Sequence, residues 1–260
     1  MIQSWSRGVA DDNMGEAILV ELAGKVARHP WWAARGRLLL ALLSRLGYSR
    51  DSRVIEVGCG WGTNLTALER AGYHVVGLDI SRQALERIDR PDRQLVEADL
   101  TQDLPADAPQ YDVVLALDVI EHVDDDRAVV RRLAQLARPG GHVIVSVPAL
   151  PELFSEFDSV QGHRRRYTPE TLRAAIEGSG LKIERMMWWG QWMARILGRR
   201  KSANRARPGE GNAQVYARYL TVPPWPAPLL LDLMYRMDQG RTLAGRNKTG
   251  TSLFAVAVKP

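Results

Sequence analysis

The sequence predicts an α/β fold built on an open, mostly parallel sheet, and three observations support this. From residue 54 onward, short apolar runs alternate with helical spacings, the pattern of strand–helix–strand units. The run Val54-Ile55-Glu56-Val57 breaks into glycines at alternate positions, Gly58, Gly60 and Gly62, and then becomes a helix. Acidic side chains recur where successive strands should end, at Asp79, Asp99 and Asp118. That edge is where open α/β sheets hold their ligands.

The elements follow in order. Residues 16–28 have helical apolar spacing, and residues 30–46 read as a longer helix with Pro30 at a permitted first position and Gly47 as its stop. Residues 1–50 are therefore expected to form an N-terminal helical cap. After the first strand, a helix over 62–71 stops at Gly72. Residues 74–79 make a second strand ending in Asp79, 94–100 a third with Asp99 at its exit, and 111–118 a fourth. The fourth runs directly into Val119-Ile120-Glu121-His122. A helix over 124–137 opens on Asp124, Asp125 and Asp126, which suit a helix N-terminus. As a metal site the triplet lacks a histidine or further acid at ligand spacing.

Residues 138–147 form a turn and a fifth strand; Thr168, with Pro169 behind it, caps a helix after the loop 148–167. Residues 181–188 give a sixth strand and 251–258 the last. A core of residues 51–188 and 251–260 is thus interrupted by residues 189–250, rich in Pro, Trp and Arg. A connection this long is normally functional or disordered.

Composition sets bounds. At 260 residues, 45% apolar and 25% charged, the chain is an ordinary globular sequence and not a disordered one. Its one cysteine, Cys59, excludes an intrachain disulfide and fits a reducing compartment. No signal peptide is evident and no apolar run approaches the length of a membrane span, so the expectation is a cytoplasmic protein. The net charge of +5 is uneven: residues 189–250 hold eleven Arg/Lys against three acids. That basicity is by default a solvated loop. Beside Trp225 and the apolar stretch 229–235 it could also rest on an anionic membrane surface.

Glu56 and the glycine spacing decide which ligand the loop suits. Dinucleotide sites use Gly-x-Gly-x-x-Gly and aim amides at a pyrophosphate. A carboxylate two residues before the first glycine repels phosphate but suits an ammonium group. The implied ligand has a cationic amino-acid end and a nucleoside end, which describes S-adenosylmethionine. Asp79 is placed for ribose hydroxyls and Asp99 for an adenine amino group.

With these blocks spread over residues 53–147, the chain resembles the class I S-adenosylmethionine-dependent methyltransferases. It is similar in particular to a bacterial subgroup with a His-Trp-Trp-like element, here His29-Pro30-Trp31-Trp32-Ala33-Ala34-Arg35. That subgroup also has a Gly-His-x-Arg-Arg-Tyr element, here Gly162-His163-Arg164-Arg165-Arg166-Tyr167, and a C-terminal Gly250-Thr251-Ser252-Leu253. Pro30 and Trp188-Trp189-Gly190 depart from its pattern.

The resemblance implies a Rossmann-like sheet of seven strands, order 3-2-1-4-5-7-6, with strand 7 antiparallel. It implies S-adenosyl-L-methionine as cofactor and S-adenosyl-L-homocysteine as product. The cofactor residues would be Glu56, Gly58, Cys59, Gly60, Gly62, Asp79, Ile80, Asp99, Leu100, Leu117 and Asp118.

Methyl transfer to an alcohol needs alignment and a base. His163, in the loop that faces the methyl group in this architecture, and His122, just after the fourth strand, are the candidate bases. No histidine stands at metal-ligand spacing, so no metal is expected. Arg164, Arg166 and Tyr167 suit an anionic acceptor group or else salt bridges to the cap. Trp32 and Arg35 could line the acceptor pocket or pack the cap against the core.

The expected reaction is O-methylation of a sugar, lipid-linked or natural-product hydroxyl by in-line transfer. The partner would be a small-molecule or glycan- or lipid-linked acceptor. N- or C-methylation uses the same geometry. An RNA-modifying enzyme is the other class of reading, disfavoured because no RNA-binding module or aromatic–basic stacking platform is evident.

Overall fold

The computed structural model describes residues 2–6, 16–199, 210–222 and 224–260. The first half comprises β1 (Ile2–Ser4), α1 (Glu16–Arg28), α2 (Pro30–Arg45), β2 (Arg53–Val57), α3 (Thr63–Arg70), β3 (His74–Asp79), α4 (Arg82–Ile88), β4 (Gln94–Glu97) and β5 (Tyr111–Leu117). Then follow α5 (Asp126–Leu136), β6 (Ala137–Pro148), α6 (Glu156–Val160), α7 (Pro169–Ile176) and β7 (Lys182–Trp189). The chain closes with α8 (Gln191–Arg199), α9 (Asn212–Tyr219), α10 (Ala227–Leu243) and β8 (Ser252–Val258).

The sheet order is β1-β4-β3-β2-β5-β6-β8-β7. Neighbours from β1 to β6 pair in parallel, and β8 lies antiparallel between β6 and β7. The expected order is the run from β4 to β7, but the sheet has eight strands, not seven. The additional strand is β1, which pairs with β4 through Ile2↔Leu95 and Ser4↔Glu97. It covers an edge whose backbone groups would otherwise be unpaired. Three residues are too few to show an alternating pattern, so residues 1–50 read as wholly helical when their beginning is a strand.

The central strands are buried on both faces, as parallel sheets require; Val113 through Leu117 of β5 are all buried. Two apolar layers result. On one face, Val129, Val130 and Leu133 of α5 and Leu172 of α7 pack against β5 and β6. On the other, Leu38, Leu39, Leu42 and Leu43 of α2 meet Leu65 and Leu68 of α3. Because Leu38, Leu39, Leu42 and Leu43 are buried there, α2 is a layer of the core. Asp125 caps α5 by accepting from the Ala128 amide (2.9 Å), the capping role expected of the acidic triplet.

Among the described residues, the insertion after β7 is largely helical. Asp238 of α10, buried, accepts hydrogen bonds from the Gly190 amide (2.6 Å), the Gln191 amide (3.2 Å) and Asn247 Nδ2 (3.1 Å). This ties α10 to the end of β7, over the carboxyl side of the sheet. Of the basic run 195–207, residues 200–207 lie outside the described residues.

Candidate active site

β2 ends on Val57, and the chain turns at Gly58, whose φ is +68°. A Cβ there would stand 2.6 Å from Val119 Cγ2, so both backbone conformation and space call for glycine. Gly62, with φ +65°, is the N-cap of α3. The loop is braced from the next strand, because the Gly60 amide donates to Asp79 Oδ2 (2.7 Å). Asp79 Oδ1 accepts from the Ser81 amide (2.9 Å).

Above this loop lies a cavity of about 230 Å³. Glu56, Asp79 and Asp99 line it at the ends of β2, β3 and β4, and Leu78, Ala98, Leu100 and Val129 give it an apolar end. Glu56 is buried; its Oε1 accepts from Asn64 Nδ2 (2.6 Å), while Oε2 has no hydrogen-bond partner. Burial pushes its carboxyl up to about 7, against the pull of Asn64 and the nearby Arg35 guanidinium. A cationic group brought to Oε2 would satisfy that oxygen and restore its charge.

Arg35, also buried in the cavity wall, donates to Asp118 Oδ2 (2.5 Å) and lies over the Trp31 ring; its Nε has no partner. Glu56 could hold an ammonium, Arg35 a carboxylate and the apolar end a base, a set that would suit S-adenosylmethionine. Asp118 has φ +58° and Leu150, past the end of β6, has φ +64°. These sparsely populated conformations both fall on the site-bearing edge of the sheet.

A second cavity of about 510 Å³ adjoins the first. Trp31, Trp32, Asp118, Gln161, His163 and Tyr216 line both. Its remaining walls are mainly apolar and aromatic, with Phe154 and Phe157, Met193 and Leu197 of α8, Tyr219 of α9 and Tyr235 of α10.

At the shared wall, His163 Nδ1 bonds to Asp158 Oδ1 (3.0 Å). Asp158 is fully buried and also accepts from Arg166 Nε (2.7 Å), Arg166 Nη2 (3.0 Å) and the Ser155 amide (2.8 Å). Burial alone would raise its pKa, but hydrogen bonds from His163 and Arg166 hold it below the ordinary carboxylate range. An ionised Asp158 fixes the proton on His163 Nδ1 and leaves Nε2 with a lone pair.

Nε2 stands 3.8 Å from Glu121 Oε1. Glu121 is fully buried, neither carboxylate oxygen has a hydrogen-bond partner, and burial and the Asp118 carboxylate push its pKa well up. The His122 ring lies edge-on to that of His163 at 4.8 Å. Burial lowers its pKa to about 3.

A family model described as a methyltransferase domain matches residues 31–185, more than half of the chain. The chain is a class I S-adenosylmethionine-dependent methyltransferase. Among curated relatives, the methyltransferase is 39% identical over 133 residues to the ubiquinone biosynthesis O-methyltransferase of Ralstonia nicotianae, covering 45% of this chain and 56% of that protein. To its namesake from Serratia proteamaculans it is 32% identical over 132 residues, covering 45% and 55%. The chain thus spans about half the length of the curated relatives it matches.

Among solved structures, the complex of the Haloferax volcanii Trm112 methyltransferase activator with a putative methyltransferase gives a TM-score of 0.59 at 19% identity, covering 97% of this chain and 100% of that one. A putative sarcosine dimethylglycine methyltransferase from Galdieria sulphuraria gives 0.57 at 14%, covering 86% and 85%. At these identities the likeness is one of fold.

The methyltransferase brings most of the sequence-predicted cofactor residues to one cavity. Glu56, Gly58, Cys59, Gly60, Asp79, Ile80, Asp99, Leu100, Leu117 and Asp118 all line it; Gly62 shapes the turn behind it. Cys59 is a packing residue, its thiol pKa raised by burial. Arg35, expected beside the acceptor, lines the cofactor cavity instead, because it projects from α2 toward Glu56 and Asp118. Trp32 does face the second cavity.

The anion-binding reading of the arginine run does not match the structure, since its charges are already matched. Arg164 pairs with Asp124, Arg165 with Asp126 and the Val123 carbonyl, and Arg166 with Asp158. The Tyr167 hydroxyl donates to Asp126 (2.8 Å) inside the core. Arg166 reaches the wall of the second cavity.

Sequence spacing also hid a group of donors. Glu121, His122 and His163 can each offer one ligand atom, all within 4.8 Å of one another. The third member arrives from 41 residues away along the chain, so no local motif announces it. Asp158 and Tyr216 were missed as well. The first sits in α6, a helix of five residues too short to show an apolar period, and the second in a helix of the insertion.

Proposed function

We propose that this methyltransferase O-methylates a hydroxyl on a small molecule with a flat, largely apolar body, seated in the second cavity. The observation that carries this is His163: it lines the wall common to both cavities, backed by an ionised Asp158. When bound, S-adenosylmethionine supplies a methyl group on a sulfonium, and an in-line hydroxyl receives it. The chain's own part is to orient and to deprotonate. Trp31, Trp32 and Tyr216 confine the acceptor on the wall nearest the cofactor. Asp158 keeps His163 in the tautomer whose Nε2 accepts the hydroxyl proton, a contribution of about 10²–10⁴ in rate for a positioned base. His122 is the poorer base, since a group with a pKa of about 3 has little affinity for a proton at neutral pH.

The curated relatives' names support O-methylation and lend nothing to a glycan or lipid-linked acceptor. The apolar, aromatic walls favour a compact ring-bearing molecule. A second account of proton removal rests on the Glu121, His122 and His163 donors. Such a set can hold a divalent cation, which would acidify the hydroxyl in place of a base.

The test is S-adenosylhomocysteine release with a panel of phenols, aliphatic alcohols, sugars and amines. Turnover on aromatic hydroxyls, lost at least about 100-fold in His163→Ala with cofactor affinity unchanged, is the expected result. Turnover confined to amines or carbon acids would overturn the O-methylation reading. Dialysis against a chelator should leave the rate unchanged; a loss restored by divalent metal would replace the base with the cation.

A further inference from the structure

Most helices of this fold bury their apolar side chains; the outer face of α10 does the opposite. Leu229, Leu230, Leu233 and Met237 are all more than half exposed, and Trp225, just before the helix, is 79% exposed. At 100° per residue these positions make one stripe, on the side away from buried Tyr235, Asp238 and Thr242. Arg236 and Arg241 flank it, both exposed. Burying five large apolar side chains would be worth several kcal/mol, so leaving them in water is costly unless something covers them.

We infer that this face seats on an anionic lipid bilayer, with the helix lying in the headgroup plane. Two features choose that occupant over a second copy of the chain. The first is charge: Arg236 and Arg241 border the stripe, and the acid beside them, Asp232, is already paired with Arg236 and Arg37, so pairing this face with its own copy would set arginine against arginine. An anionic leaflet instead attracts each nearby Arg or Lys by about 1 kcal/mol. The second is chemistry. An apolar stripe edged by arginines whose stems can lie along it, with tryptophan at its end, is the pattern of an interfacial helix. Among the described residues no helix is long and apolar enough to cross a membrane, so the contact is peripheral. The inner face of the same helix contributes Tyr235 to the second cavity, which places a bilayer at the outer face about one helix diameter, ~10 Å, from the acceptor cavity. An apolar acceptor dissolved in lipid would therefore be within short reach. The docking itself does not depend on which group is methylated.

The experiment is sedimentation of the full chain with vesicles of phosphatidylcholine alone or with about one third phosphatidylglycerol. The comparison variant is Leu229→Gln/Leu233→Gln/Met237→Gln, three exposed positions outside both cavities. The wild-type protein should partition at least about tenfold more strongly onto the anionic vesicles, weakening as salt rises from about 0.1 to about 0.5 M. The variant should lose at least about tenfold of that partitioning while binding S-adenosylhomocysteine as before. Equal partitioning of variant and wild type, or no vesicle binding by a wild-type protein that still binds S-adenosylhomocysteine, overturns the inference. So does a concentration-dependent dimer abolished by the same substitutions, which would make this face a self-interface. None of these outcomes bears on the O-methylation reading, which is tested by turnover on acceptors.

Discussion

Glu56→Gln should make the free protein more stable and the cofactor complex weaker, and both magnitudes follow from the site. Glu56 is buried with one carboxylate oxygen unpartnered, and its pKa stands at about 7 instead of 4.5. The folded state therefore holds this proton more tightly than the unfolded chain does. Stability is unaffected below about pH 4.5, falls as pH rises toward 7, and stays reduced above it. At about 1.4 kcal/mol per tenfold, the ionised side chain costs roughly 3 kcal/mol at alkaline pH. Glutamine removes that cost and keeps the volume. At about 2–4 °C per kcal/mol for a chain of this size, the gain is roughly 6–12 °C in Tm near pH 8.

Binding should move the other way. A hydrogen bond from a cationic ammonium to the carboxylate is worth about 1.5–3 kcal/mol, so S-adenosylhomocysteine affinity should drop about 10- to 150-fold. In the wild-type protein, affinity should rise with pH up to about 7 and then level, because only the ionised carboxylate pairs with the ammonium; in the variant this limb should vanish. Thermal melts across pH and titration calorimetry read both effects. A variant no more stable than wild type at about pH 8, or one that binds equally well, would refute the reasoning.

Other substitutions probe the neighbouring parts. Gly58→Ala puts a Cβ against Val119 in a left-handed conformation and should lower stability by about 2 kcal/mol or more, read in urea melts. Asp158→Asn leaves Arg166 buried without its counter-charge and should cost about 3–5 kcal/mol; it should also slow turnover by altering the His163 tautomer, which the pH–rate profile would show. Burial depresses His122 to about 3 and His29 to about 4, so the unfolded chain gains these protons first. Stability should fall progressively as pH drops below about 6.5 toward those values, and His122→Gln should soften the fall, as melts over that range would show.

The lining of the first cavity was legible because its parts are local. A strand, a glycine turn and a helix are consecutive in sequence, and Glu56, Asp79 and Asp99 each sit at a strand end that periodicity locates. The wall proposed as catalytic is assembled over longer distances. Asp158 meets His163 through a tight turn with no regular period, and Glu121 reads like any acid until the β5 exit is seen to bury it. Arg35 was expected beside the second cavity and lines the first, because a helix's apolar stripe does not say which cavity its polar flank will face. β1 escaped notice for the simplest reason: three residues carry no pattern, and its pairing to β4 is a contact across more than 90 positions. The arginine run misled because charge density was read without its partners, Asp124, Asp126 and Asp158.

Tyr216 of α9 faces Trp61 of the glycine loop, with ring centroids 6.2 Å apart, and it borders both chambers. One side chain from outside the matched methyltransferase region therefore serves as ceiling to two compartments. On the proposed assignment of the two chambers, swapping spent nucleoside for fresh and admitting the next acceptor are not independent events. A change in the insertion aimed at altering acceptor choice should be felt in the exchange of the nucleoside as well.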